Sequence, residues 1–233
     1  MMTRKKHNII LKMIKVKDNK LPNRSLSIED QLANALGRKD EAPNIALAAK
    51  IAKASDKSGV KELIGLLHKK AAIRHDAIKV LYEVGDLKPD LIIPFTKEFL
   101  ALFNHSDNWM KWGAMSALYT ISKVKPELIA NHLSEVLDAM DSGSVITRDH
   151  GIYILCNVAQ IKKQHNDCME LLLEQLEKAP VNQMPMYAEK TAEVISTSFI
   201  PKLEKILRSR KDVSEIPSKK KRIEKLLHKL NTP

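Results

Sequence analysis

One stretch of the chain occurs twice, and the distance between its copies constrains the fold more than any other feature. RHDAIKVLYEVGDLKPDLI at 74–92 returns as KWGAMSALYTISKVKPELI at 111–129, an offset of 37 residues with seven identities in 19 positions. The same step gives a weaker third copy, RDHGIYILCNVA, which begins at Arg148. Three leucines then share one repeat position: Leu81, Leu118 and Leu155. A fixed period of this length is typical of stacked repeats that pack against their neighbours.

Each copy reads as a helix, a proline and a second helix. Apolar residues from Ala77 to Val84 recur at helical spacing along one face. Pro89 and Pro126 follow at matching positions, and a proline ends one helix and can occupy the first turn of the next. The sequence therefore predicts repeated pairs of antiparallel helices. A non-repeating helical bundle with one duplicated hairpin is the alternative.

Several features resemble the HEAT-repeat and armadillo group of α-solenoids. They are the period, the helix–proline–helix order, and the Arg or Lys three residues before an Ala, as in Arg74 and Lys111. The resemblance covers about 70–180 well and about 40–70 and 180–210 loosely. It implies an all-α fold, a short right-handed α-α superhelix of about five helix pairs. It also implies that the second helix of each pair lines a concave groove.

Composition supports an all-α fold and argues against several classes of protein. Gly and aromatic residues are few, and long runs of alternating polarity are missing, so a sheet is not expected. Cys156 and Cys168 are the two cysteines. We expect reduced packing thiols in a cytoplasmic protein, with no metal and no cofactor, because no spacing of His and Cys matches a zinc site. No run of 18 apolar residues predicts a membrane span.

Positive charge is concentrated at the two ends of the chain. Residues 1–24 and 202–233 each carry a net charge of +7, while 25–201 carry −3. We predict a basic extension at 1–24, a HEAT-like repeat domain at 25–211, and a basic loop and C-terminal helix at 212–233. The candidate phosphate-contacting residues are Arg4, Lys5, Lys6, Lys219, Lys220, Lys221 and Arg222.

Local sequence signals predict the structure at both edges of the repeat domain. Ser27 followed by Asp30 resembles a capping box, so a helix is expected from Ser27 until Gly37 ends it. Residues 208–218 read as a loop, and KKKRIEKLLHKL after it reads as a basic amphipathic helix.

The candidate binding residues lie on the second helices. Trp109 and Trp112 are three residues apart, and Trp112 takes the repeat position of the polar residues His75 and Asp149. An exposed Trp on a concave wall is typical of a binding hot spot, while the alternative is that these rings pack between repeats. Arg148 is also a candidate for a polar ladder between repeats. The candidate partner-binding residues are Trp109, Lys111, Trp112, Tyr119, Arg148 and Tyr153.

These observations favour a non-enzymatic scaffold that binds a protein or peptide partner in the groove of the repeats. The alternative is nucleic-acid binding, and here the chain is faintly similar to the HEAT-like DNA-alkylation-repair glycosylases. Trp109, Trp112 and Arg148 would take the places of that family's Trp and Arg. The family's Trp-Asp run is absent, since Asp107 precedes Trp109 and Gly113 follows Trp112. A peripheral membrane role through the basic ends is a third hypothesis.

Overall fold

The computed structural model describes residues 26–213 and 216–231, and within 211–213 the backbone alone. This described part is all-α, which confirms the predicted class, and it contains no strand. Its α-helices in chain order are α1 (Ala42–Ala54), α2 (Lys57–Leu66), α3 (Ala71–Leu87), α4 (Thr96–Ala101), α5 (Asn108–Ser122), α6 (Glu127–Ala130), α7 (Leu133–Ser142), α8 (Val145–Val158), α9 (His165–Glu177), α10 (Met184–Val194), α11 (Ile200–Val213) and α12 (Pro217–Leu230). Short 3-10 turns lie at Glu29–Gln31, Pro89–Leu91, Ile93–Phe95, Leu102–Asn104 and Thr197–Phe199.

The contacts divide the chain into two compact units, with the boundary between Leu87 and Lys88. In the first unit, α1 and α2 both pack against α3. Their interface is apolar, and Leu63 and Leu81 are fully buried in it. Burying such a side chain contributes about 1.5–3 kcal/mol.

The helix expected after Ser27 does not form, although its capping box does. The Ser27 N–H and hydroxyl both donate to Asp30 Oδ2, at 3.2 and 2.7 Å, and the Asp30 N–H donates back to Ser27 Oγ. The helix then stops after one 3-10 turn, because Leu32 has an extended backbone. Gly37 ends the following turns with a φ of +67°, in the left-handed region that favours glycine.

Side chains from α1 and α3 explain why this helix stops. The buried Asn44 accepts a hydrogen bond from the Ala33 N–H at 2.9 Å and donates to Asp76 Oδ1 at 2.7 Å. Asp76 also accepts from the Asn34 N–H at 2.7 Å. These two backbone N–H groups are satisfied by tertiary contacts instead of helical carbonyls, so the sequence signal for a helix is overridden.

The second unit is a stack of helix pairs. Its pairs are α4–α5, α7–α8, α9–α10 and α11–α12, and the two helices of each pair are in contact. The second helices form one layer, in which α5 packs against α8, α8 against α10, and α10 against α12. In the other layer α9 packs against α11. Leu118 and Leu155 occupy the same repeat position on adjacent helices, and both are fully buried.

The 37-residue period sets where the repeat helices begin. Helices α3, α5 and α8 start at Ala71, Asn108 and Val145, which are 37 residues apart. Asp107 and Ser144 precede two of these helices and act as N-caps, since their side chains accept hydrogen bonds from backbone N–H groups of the first turn. Helix α10 starts at Met184 and departs from this spacing, as the degenerate sequence of that region predicts.

The loop predicted at 208–218 is wrong over its first half, because α11 continues to Val213 and α12 begins at Pro217. The Arg210 guanidinium donates to the backbone carbonyls of Glu177 and Ala179, at the end of α9. These carbonyls lack partners within their own helix, so Arg210 satisfies them and anchors the extra turn of α11.

Candidate partner-binding surface

Three rings on α5 and α8 form a cluster at the surface of the second-helix layer. Tyr119 stacks on His150 with centroids 5.2 Å apart and an interplanar angle of 15°. Tyr153 lies 5.2 Å from Tyr119 and 6.1 Å from His150, tilted against both. All three side chains are half-buried. We call this group the ring cluster.

The packing of α8 places these rings at the surface. Gly151, Ile152 and Leu155 are fully buried, and they take up the side of α8 that faces its neighbours. His150 and Tyr153, three residues apart, share the opposite side. The His150 and Tyr153 rings therefore lie at the surface, on a helix whose opposite side is packed in the core.

A buried hydroxyl fixes the orientation of the His150 ring. Ser116 Oγ donates to the Trp112 carbonyl oxygen at 2.8 Å and lies 2.9 Å from His150 Nδ1. A hydroxyl has one proton, and the carbonyl takes it, so Nδ1 of His150 is the donor of the second bond. Neutral His150 therefore carries its proton on Nδ1, which leaves Nε2 as an acceptor.

Two lysines and a methionine border the ring cluster. Lys123 Nζ lies 4.4 Å from the Tyr119 centroid, and Lys190 Nζ lies 5.9 Å from the Tyr153 centroid. Such cation–π contacts are worth about 0.5–1 kcal/mol at exposed sites. The Tyr153 hydroxyl donates to the sulfur of Met186 at 3.2 Å, and burial raises the pKa of this hydroxyl. The rings therefore present an apolar body with a polar rim.

A polar ladder between repeats supports this surface. Asn157 donates to Ser122 Oγ at 2.8 Å, which joins α8 to α5. Tyr187 donates to Asp149 Oδ1 at 2.8 Å, which joins α10 to α8. Burial raises the pKa of Asp149, and the Tyr187 hydrogen bond partly opposes that rise.

The Trp residues lie at the start of α5. Trp109 is 42% exposed, Trp112 is half-buried, and their ring centroids are 5.3 Å apart. Trp112 lies two helical turns before Tyr119, about 10 Å along the axis. The structure thus places both Trp residues on the helix that carries Tyr119, with Trp109 the more open of the two.

The cationic candidates are less closely associated with the ring cluster. Lys111 is half-buried on α5. The Arg148 guanidinium donates to the Gly143 carbonyl at 3.2 Å, a contact within its own repeat. The neighbouring Asp149 carries the link between repeats instead.

Two of the four residues in the basic run at 219–222 are bound to neighbouring groups. Lys219 donates to the Asn182 carbonyl at 2.9 Å, and Arg222 binds both carboxylate oxygens of Glu189 at 2.8 and 2.6 Å. Lys220 is half-buried and Lys221 is exposed. The other predicted phosphate contacts, Arg4, Lys5 and Lys6, lie outside the described residues.

Neither a metal site nor a membrane span occurs in the part of the chain that the structure describes. No group of three or more His, Cys, Asp or Glu side chains there is arranged to hold a metal ion. None of the described helices is both long and apolar enough to cross a bilayer.

Sequence reasoning found the two tyrosines but missed His150, Lys123 and Lys190 as their neighbours. The linked residues Ser116 and His150 are 34 positions apart, as are Cys156 and Lys190, whose side chain and carbonyl are in contact. These separations are about one helical turn shorter than the 37-residue period. Applying this stagger to Tyr119 would have identified Tyr153 and its surroundings.

The chain is similar to known proteins in its fold alone. The crystal structure of an engineered protein from the Northeast Structural Genomics Consortium is similar over 88% of this chain and 96% of that one, with a TM-score of 0.58 and 18% identity. The complex of CpcE and CpcF of phycocyanin lyase from Nostoc sp. PCC7120 aligns over 92% of this chain and 100% of that one, with a TM-score of 0.37 and 12% identity. No protein-family model matches the sequence, and no curated protein matches it significantly.

Proposed function

We propose that this chain is a non-enzymatic scaffold of the HEAT-like kind, which binds a segment of a protein partner through the ring cluster. The observation that carries the proposal is the set of half-exposed rings Tyr119, His150 and Tyr153, held together across two adjacent repeat helices. Tyrosine is enriched among residues that dominate binding energy at protein interfaces. A cytoplasmic location, suggested by the two free cysteines, is part of the proposal.

The ring cluster is already ordered before a partner arrives. His150 is fixed by Ser116, and Tyr153 by Met186. Tyrosine has few rotatable bonds, so little conformational entropy remains to be lost on binding. Large amphipathic rings in fixed positions can contact both apolar side chains and the peptide backbone of a partner.

The polar groups near the cluster favour binding over catalysis. The Asp149 carboxylate is engaged by Tyr187, and the His150 Nδ1 is engaged by Ser116. Burial raises the pKa of Cys156 to about 12, so this thiol stays protonated and unreactive at neutral pH. A nucleophile needs an adjacent base, and these three groups are instead committed to structural contacts.

The test is a selection of peptides on the full chain. Peptides of about 16 residues from a random phage library would be enriched, and their affinities compared for the native protein and for Tyr119→Ala/Tyr153→Ala. Truncating one hot-spot ring costs about 2 kcal/mol or more, or about 30-fold in affinity, so losing both should weaken binding by at least about 30-fold and by about 1,000-fold if their effects add. Leu128→Ala is the matched control, since Leu128 is an exposed apolar residue on α6.

Two results would contradict the proposal. One is a set of selected peptides that bind the double variant as tightly as the native protein. The other is a set that loses affinity equally in the Leu128→Ala control. Circular dichroism of each variant establishes that its helices are intact.

A further inference from the structure

A second surface, separate from the ring cluster, is formed by the outer side of α12. Ile223, Leu226 and Leu227 are buried on one side of this helix, which packs against α10 and α11. Lys221 and Lys225 lie on the other side and are exposed. The helix is therefore amphipathic, with its apolar side already covered and its basic side open.

The open side carries a regular row of lysines. Lys221, Lys225 and Lys229 follow one another four residues apart, so they share one face with about 6 Å between successive residues along the axis. All three are exposed, and none has a hydrogen bond or ion pair with the other described residues. We call these three residues the lysine row.

The lysine row differs from the basic run that the sequence makes conspicuous. Lys219 and Arg222 are engaged by neighbouring groups, the Asn182 carbonyl and the Glu189 carboxylate. Their charge and hydrogen bonds serve the packing of α12 against α10. One acid, Glu224, is exposed beside the row, about 60° around the helix from Lys221 and about 100° from Lys225.

We propose that the lysine row binds the phosphate backbone of a nucleic acid. A row about 12 Å long runs past about three phosphates of one strand, and lysine contacts phosphate as a flexible point charge. A membrane surface is the less suitable partner, because an interfacial helix inserts its apolar side into lipid. In α12 that side is occupied by the contacts of Ile223, Leu226 and Leu227. Contacts to phosphates carry no sequence information, so this binding should be independent of sequence.

The experiment uses the full chain and a fluorescein-labelled 20-base-pair DNA duplex of arbitrary sequence. Fluorescence anisotropy gives the affinity from 50 to 300 mM salt for the native protein and for Lys221→Gln/Lys225→Gln/Lys229→Gln. Each neutralised phosphate contributes about 0.9 to the slope of log affinity against log salt, so the slope should become shallower by about 2 to 3. Glutamine has nearly the helix propensity of lysine, and the fold should be unaffected.

A matched control removes the same charge from another surface. Lys53→Gln/Lys57→Gln/Lys61→Gln changes three exposed lysines of the first unit and should keep the native slope. The Tyr119→Ala/Tyr153→Ala protein should also keep it, so this test is independent of the peptide-binding proposal.

Three outcomes would overturn the inference. The first is no binding of the duplex by the native protein at 50 mM salt. The second is an equal loss of slope in the row variant and the control. The third is tighter, row-dependent binding to phosphatidylserine vesicles than to the duplex, which would assign the row to a membrane surface.

Discussion

Tyr187 and Asp149 show how a single contact connects two repeats. The Tyr187 ring is buried on α10, and its hydroxyl donates to the half-buried Asp149 carboxylate on α8. Burial raises the pKa of Asp149, because the charged form loses water, while the hydrogen bond favours the charged form. Burial and the neighbouring carboxylate both raise the pKa of Tyr187, so its hydroxyl remains a donor at neutral pH.

Removing the Tyr187 hydroxyl should weaken the link between α8 and α10. Tyr187→Phe should lower the free energy of unfolding at pH 7 by about 1 to 2 kcal/mol, since a bond to a charged but partly exposed group is lost. The pKa of Asp149 should rise further, because the bond that favours its charged form is gone. The Asp149 carboxyl then holds its proton more tightly in the folded protein than in the unfolded chain. The free energy of unfolding therefore falls as the pH rises above 3.8, the pKa of Asp149 in the unfolded chain. The destabilisation should therefore be smaller at pH 4 than at pH 7.

Urea denaturation at the two pH values measures this difference. Tyr153→Phe is the matched control, since the Tyr153 hydroxyl donates to an uncharged methionine sulfur. Its cost should stay below about 1 kcal/mol. Equal costs for the two variants, or a Tyr187→Phe cost that does not change with pH, would contradict this account.

At the scale of elements, close approach of α7 and α8 depends on Gly151. A Cβ atom added there would overlap the side chain of Met140, which is fully buried on α7. Gly65 on α2 is the opposite case, because an added Cβ there would meet nothing within 4 Å. The two glycines therefore separate the packing effect of a methyl group from its effect on helix propensity.

Alanine substitutions at these glycines should change stability in opposite directions. Gly151→Ala should lower the free energy of unfolding by about 1–3 kcal/mol through overpacking, even though alanine favours the helix. Gly65→Ala should raise it by about 0.5–1 kcal/mol, because alanine loses less backbone entropy in a helix. Thermal unfolding of both variants measures these changes, and a Gly151→Ala protein as stable as the native one would refute the close packing.

Much of the helix arrangement could be predicted from the sequence, because the repeat sets where the helices begin. The starts of α5 and α8 follow from the period, and their caps are the polar residues Asp107 and Ser144. The segment after Ser27 could not be predicted, because Asn44 and Asp76 take its backbone N–H groups through contacts distant in sequence. Similarly, nothing local marks Arg210 as the residue that extends α11.

The candidate surface was predictable only in part. Tyr119 is visible as a repeated aromatic residue, since it shares its repeat position with Tyr82. Its partner Tyr153 depends on a stagger of one helical turn between adjacent helices, which the period alone does not specify. Packing of buried side chains sets this stagger, and several arrangements of ridges and grooves are compatible with one amphipathic pattern.

At the scale of the whole molecule, the two thiols report on the integrity of the helix stack. Cys156 and Cys168 are both buried in the second unit. Burial raises their pKa values to about 12 and about 11. The thiolate is the reactive species, so both thiols should be protected for as long as the stack stays closed.

Thiol labelling of the native protein should therefore be slow. At pH 8, reaction with a disulfide reagent should be at least about 100-fold slower than in 8 M urea, because both the thiolate fraction and the access are reduced. Single-cysteine variants, Cys156→Ala and Cys168→Ala, assign the rate to each thiol. Rapid labelling of either thiol in the absence of urea would show that the helices around it open readily.

The common spacing of the helix starts has a consequence for how such a chain can change in length. Residues 108–144 form one full period, so their loss would bring Asp107 directly before Val145. The new junction would again place a capping residue before the first turn of a repeat helix. A block of another length would place a different residue before the helix start, and the loop would have to absorb the difference. Duplication or deletion of a whole period is thus a change in length that keeps a capped helix start at the junction.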